Sequence, residues 1–139
     1  MTAAPTLVTL RDEIRAAAER LAPYALRTPV VPARALDPND RAWYKCENLQ
    51  RTGSFKIRGA LNKILSLPAE ARARGVVTSS TGNHGLAVAE ALRLVGGRGT
   101  IVVSAGASAY KVGKLAAAGL EVVTHDGDPM AAELAARAR

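Results

Sequence analysis

Two short polar stretches of this chain hold residue types that could do chemistry. The first runs Lys45-Cys46-Glu47-Asn48-Leu49-Gln50-Arg51-Thr52-Gly53-Ser54-Phe55-Lys56-Ile57-Arg58-Gly59-Ala60. It reads as a strand end, a polar turn and a helix start, with Ser54 as the N-cap of a helix running from Phe55. Lys56 then takes the second helical position and Arg58 the fourth. Cations in a first turn meet the positive end of the helix dipole, typically unfavourable by about 0.3–1 kcal/mol each. An amine held in such a field and facing a cleft is suited to attack a carbonyl carbon and form a Schiff base. The spacing by itself favours a surface lysine in an ordinary helix.

The second stretch is Thr78-Ser79-Ser80-Thr81-Gly82-Asn83-His84-Gly85, between an apolar strand and a helix. In a parallel α/β sheet, ligands gather at the carboxyl ends of strands, where helix N-termini offer free N–H groups to anions. Small residues let the backbone approach a ligand, and hydroxyls add donors. It is not a Walker loop, because no Gly-Lys-Ser/Thr follows. Taken alone it is also compatible with a plain capped turn.

Both stretches together, in this order, carry a resemblance. Ser54-Phe55-Lys56-Ile57-Arg58-Gly59-Ala60 resembles the lysine motif of the fold-type II pyridoxal phosphate enzymes, in their threonine/serine dehydratase and serine racemase branch. Ser80-Thr81-Gly82-Asn83-His84-Gly85 resembles the asparagine loop of the same branch. The resemblance implies that Lys56 carries pyridoxal 5′-phosphate as a Schiff base and that Phe55 packs at the pyridine ring. It implies that Asn83 contacts the cofactor's 3′-hydroxyl, while Ser80, Thr81, Gly82 and His84 hold the substrate carboxylate. Cysteine-synthase relatives carry Asn-Thr and Asp-Arg where this chain has Asn83-His84 and Ile57-Arg58, which points to the dehydratase-like side. Serine racemases have a serine at the position of Thr81, serving as a second proton base. A threonine there has a restricted rotamer, so elimination is expected over racemisation.

The implied reaction is β-elimination on a hydroxy amino acid such as threonine or serine, giving a 2-oxo acid and ammonia. Alternatives are a racemase, a dehydratase for another substrate such as 3-hydroxyaspartate, and a truncated, non-catalytic domain. The last is kept open because relatives carry further parts beyond the counterpart of Arg139. These are a glycine-rich phosphate loop, a serine or threonine near the pyridine nitrogen, and often a cation site. The chain is therefore expected to be an incomplete front portion, inactive and binding cofactor weakly by itself, and forming a homo-oligomer when intact. Residues 1–40 are assigned to a large domain and residues 41–139 to a small α/β domain carrying the lysine.

The elements that must position these residues follow from pattern. Thr9-Leu10-Arg11-Asp12 opens a helix with Leu10, Ile14, Ala17, Ala18 and Leu21 on one face, stopped by Pro23. Thr28–Pro32 is extended, and Ala42–Glu47 reads as a strand. A short helix begins at Pro68. Strands 76–79, 100–104 and 121–125 then alternate with helices over about 82–95, 108–118 and 129 to the end. That alternation predicts an α/β fold: a parallel twisted sheet, with the strand near 43–47 included and helices on both faces. The N-terminal helix is expected to pack loosely against that core.

Composition narrows the partners. A net charge of +7 invites a nucleic-acid reading, but the arginines are dispersed and aromatics are 4%. No nucleic acid and no membrane are expected as partners; the expected partner is a small amino-acid substrate. One cysteine, Cys46, fits a reducing cytoplasm and a packed strand position, with no metal-ligand spacing around it. His125 is assigned a surface or loop role, and Lys111 and Lys114 are assigned to solvent.

Overall fold

The computed structural model describes residues 7–139. Element order is α1 (Leu7–Leu21), β1 (Val30–Pro32), β2 (Trp43–Lys45), a 3-10 turn at Glu47–Leu49, α2 (Lys56–Ser66) and α3 (Ala69–Arg74). It continues β3 (Val76–Ser79), α4 (Asn83–Val95), β4 (Gly99–Ser104), α5 (Ala109–Ala117), β5 (Glu121–His125) and α6 (Pro129–Arg137). Strands β3, β4 and β5 form a parallel sheet in that order, with Val77 beside Thr100 and Ile101 beside Val122. Among the described residues no helix is long and apolar enough to cross a membrane.

The expected strand near 43–47 is shorter and lies outside this sheet. It pairs antiparallel with β1, Val31 opposite Tyr44, as a separate two-stranded ribbon. The reason is connectivity. Parallel neighbours need a crossover of a dozen or more residues, whereas the loop through Asp37–Asp40 turns straight back. Asp37 Oδ1 accepts from the Asn39 amide, and Asp40 adopts φ +54°, which closes the turn. Both ribbon strands keep Val30, Trp43 and Tyr44 exposed, unlike the buried strands of a parallel sheet. Cys46 falls one residue past β2 and is half-buried.

Strand β4 is the centre of the core, with Ile101, Val102 and Val103 all at most 1% exposed. Side chains alternate across a strand. Ile101 and Val103 join Leu92 and Leu115 in the main core under α4 and α5, while Val102 points to the opposite face, covered by α6 with its buried Ala132. Helix α2 forms a further layer on α4, burying Ile57, Ala60, Leu61 and Ile64, an i, i+3, i+4, i+7 stripe. Each of its large aliphatic side chains contributes about 1.5–3 kcal/mol by leaving water.

Helix α4 is thus covered on two sides, and Gly85 makes this possible. A Cβ there would lie 2.6 Å from Ile101 Cδ1 and 3.0 Å from the Ser80 carbonyl. Gly96, at φ +70°, ends the same helix in the left-handed conformation. Helix α1 packs mainly against α2. Leu21 is buried and Arg20 donates to Asn62, but Ile14 remains 60% exposed beside an apolar groove with Ala18 and Ala25. The apolar stripe of α1 is therefore covered only at its C-terminal end.

Two glycines give opposite expectations. Gly85→Ala should destabilise by about 1–3 kcal/mol through overpacking. Gly59→Ala, where an added methyl meets nothing within 4 Å, should be neutral or stabilise by up to about 1 kcal/mol. Urea titrations of both variants check this, and a stable Gly85→Ala protein would contradict the packing described.

Candidate active site

Lys56 is the first residue of α2 and Asn83 the first of α4, and the two helices pack along each other. The Lys56 charge is close enough to His84 to act on it. Burial first, and the Lys56 charge second, hold the His84 imidazole below its ordinary pKa. It is therefore neutral at neutral pH, and its Nε2 lies 3.1 Å from Thr78 Oγ1. The Lys56 charge thus reaches the first turn of α4, which follows the carboxyl end of β3. Phe55, Lys56, Asn83 and His84 all face solvent, with the Lys56 ammonium 5.1 Å from the Phe55 ring centroid.

Local capping sets α5 and α6 apart from α2, α3 and α4. Ser108 accepts from the Lys111 amide at the start of α5, and Asp128 accepts from the Ala131 amide at the start of α6. Neither α2 nor α4 has a side-chain cap. The expected Ser54 cap does not form. Phe55 occupies the cap position with helical backbone, the helix begins at Lys56, and the Ser54 hydroxyl is buried without a partner among the described residues. Lys56 and Arg58 thus take the first and third helical positions. At α4 the cap position is Gly82, where an added methyl would meet nothing within 4 Å, and Asn83 and His84 that follow it are exposed. Ser80 Oγ accepts from the Gly82 amide and shapes the loop.

The loop residues do not all share one cavity. Thr81, Gly82 and Asn83 line a cavity of about 180 Å³ with Tyr110, Lys111 and Lys114 of α5. His84 turns the other way, joining Thr78, Glu133 and Arg137 around a cavity of about 390 Å³ between β3 and α6. The two lysines of α5 are exposed as expected, yet they border the loop. His125 is half-buried at the end of β5, with its Nδ1 buried and unpartnered among the described residues, so it is no surface histidine. Among the described residues no group of His, Cys, Asp or Glu could hold a metal ion.

Sequence reasoning missed the residues that hold the lysine segment. Arg58 forks onto Glu47, with Nε and Nη2 at 2.9 and 2.8 Å, and Thr28 Oγ1 donates to the same carboxylate at 2.6 Å. Gln50, 4% exposed, both accepts from the Leu26 amide and donates to the Leu26 carbonyl. Lys45 donates to the Thr28 carbonyl and Arg51 to that of Tyr24. The Arg58 hydrogen bonds hold the Glu47 carboxyl down to about 2, with Thr28 assisting against the opposing effect of burial. Both Glu47 and Gln50 stand in the polar turn before Lys56, where a polar residue signals a loop as readily as a clamp.

With this geometry in hand, similarity to known proteins decides the family. The profile described as "Pyridoxal-phosphate dependent enzyme" matches residues 21–139. The chain belongs to that family. It is 46% identical over 122 residues to an L-threo-3-hydroxyaspartate ammonia-lyase of Pseudomonas sp, covering 86% of this chain and 38% of that relative. Maize serine racemase superposes with a TM-score of 0.82 at 40% identity, covering 91% of this chain and 39% of that one. A threonine deaminase isoform from Solanum lycopersicum does so with 0.85 at 26% identity, covering 99% and 41%. The chain thus spans about two fifths of the length of these relatives. The family is pyridoxal-phosphate dependent, and the residues present fit that cofactor: an exposed lysine, a helix start without a side-chain cap, and orphaned hydroxyls at Ser54 and Thr52 close to that lysine in the chain.

The Glu47–Arg58 clamp carries a pH signature. Its folded carboxyl titrates near 2 and its unfolded one near 4.5, so its contribution is complete above about 4.5 and is lost as pH falls toward 2. Glu47→Gln should cost about 1–3 kcal/mol at neutral pH. The gap between wild type and variant should close between pH 4.5 and 2; denaturation curves at pH 7, 4 and 3 measure it, and a constant gap would refute the clamp.

Proposed function

We propose that, in the intact enzyme, pyridoxal phosphate is used to eliminate the β-hydroxyl of a hydroxy amino acid, yielding a 2-oxo acid and ammonia. The reading is supported by Lys56 opening α2, which packs along α4, and by its charge acting on His84 in the first turn of α4, a helix without a side-chain cap. When bound, the cofactor supplies an electron sink for the substrate's α-carbon. Lys56 holds it and then serves as the base that takes the α-proton at its Nζ. Phe55 offers a ring face beside that amine. Asn83 is assigned to the cofactor's 3′-hydroxyl.

The substrate carboxylate is assigned to the Ser80, Thr81, Gly82 and His84 segment, where first-turn amides and the helix dipole favour an anion. A neutral His84 adds a ring N–H without putting a second base beside Lys56. On this reading residues 41–139 form the small domain, and residues 1–40 begin a larger one. The Arg58–Glu47 clamp holds the Lys56 turn against segment 24–28, so the amine is presented from a rigid base. The likeness to maize serine racemase supports, as a second reading, a racemase that uses Thr81 on the opposite face. A D-amino acid in place of an oxo acid distinguishes it.

The test is trapping followed by turnover. Borohydride treatment of the protein with pyridoxal phosphate should leave a stable adduct that peptide mapping places on Lys56. Lys56→Ala should remove the adduct and lower oxo-acid formation from L-serine or L-threonine at least about 10²-fold. An adduct on another lysine, or turnover that survives the substitution, would overturn the assignment.

A further inference from the structure

The cavity between the asparagine loop and α5 has chemistry that the α-carboxylate does not use. It is lined by Thr81, Gly82, Asn83 and Leu86 on one side and by Tyr110, Lys111, Lys114 and Leu115 on the other, the lysines being its charged groups. At about 180 Å³ it is below the usual range for a whole ligand site, and suits one end of a substrate. Lys111 and Lys114 stand one turn apart on the same helix face. Among the described residues each ion pair joins an arginine to a carboxylate, and neither lysine takes part in one. Lys114 is held instead over the Tyr110 ring, 5.4 Å from its centroid. A ring face positions an ammonium without neutralising it. Two uncompensated cations therefore border the loop assigned to the substrate.

We propose that Lys111 and Lys114 form a subsite for a second carboxylate, so that the substrate is a dicarboxylic 3-hydroxy amino acid. The inference rests on the reading of the Ser80–His84 segment as the α-carboxylate site. One carboxylate lies on the loop amides, and the carboxylate on the β-carbon reaches the α5 lysines. Serine and threonine lack that group and leave the lysines to solvent. Lysine suits this task as a compact charge on a flexible stem. Specificity then comes from α5, and the bond-breaking groups of α2 and α4 serve either substrate.

The experiment compares wild type with the double variant Lys111→Met, Lys114→Met, which keeps the aliphatic stems. With pyridoxal phosphate added, kcat/KM for L-threo-3-hydroxyaspartate should fall about 10- to 100-fold, the effect of one lost charge-assisted hydrogen bond. That for L-serine should change less than about threefold, with an unaltered melting curve. In a second arm without cofactor, calorimetric titration should show succinate binding to wild type and not to the variant. Equal losses on both substrates, or no loss on either, would overturn the subsite. Inorganic phosphate binding more tightly than succinate would overturn the dicarboxylate assignment and give the lysines to a phosphate. The arms also separate the two readings: absence of any borohydride adduct on Lys56 defeats the proposed reaction, while succinate binding that depends on the lysines still stands.

Discussion

The Glu47 carboxylate is the constraint on which the lysine segment depends. It accepts from both ends of the Arg58 fork and from Thr28, and so ties three separate pieces of chain together. Arg58 also reaches the Leu26 carbonyl at 3.1 Å. Without Glu47, Arg58 would stand as a second unpaired cation in the first turn of α2, beside Lys56. With it, the charge of Arg58 is neutralised and that of Lys56 is left free. The bidentate geometry also fixes the rotation of α2 about its axis, which a single contact would not do.

A second constraint is steric. Helix α4 must lie close to β4 for its N-terminal amides to open beside the end of β3, and Gly85 permits that approach. On its other side α4 carries α2, so the position of Lys56 is inherited from the same packing. The small residues Ala87, Ala89 and Ala91, all buried, let sheet and helix approach α4 together. Polar clamp and small-residue packing thus act on the same object, the relative placement of two helix starts.

The helix starts themselves explain why a partial cleft is built here. Helices α5 and α6 are closed by Ser108 and Asp128, while α2 and α4, like the short α3, have no side-chain cap. An uncapped first turn forgoes about 1 kcal/mol of local stability and leaves its donors available to a ligand. Position and availability were arranged by different means, the first by burial and the second by withholding a side chain.

Local sequence determined the alternation of β3 to α6, because short apolar strands and helix periodicity are short-range signals. Asp128-Pro129 and Gly96 marked helix ends for the same reason: cap and stop chemistry needs only near neighbours. The motif around Lys56 and the loop through Asn83 were likewise legible as residue types in order, and with them the family and its cofactor. Tertiary structure decided the rest. It took β2 out of the parallel sheet into a ribbon with β1, left Ser54 without a capping role, and split the asparagine loop between two cavities. It joined Gln50 to Leu26 and Arg58 to Glu47, and set Lys111 and Lys114 beside Thr81. These outcomes depend on side chains and strands that are distant in the chain and meet only when the core closes. No local pattern encodes which polar residue of a turn will find a partner, since burial confers that partner and burial belongs to the whole fold.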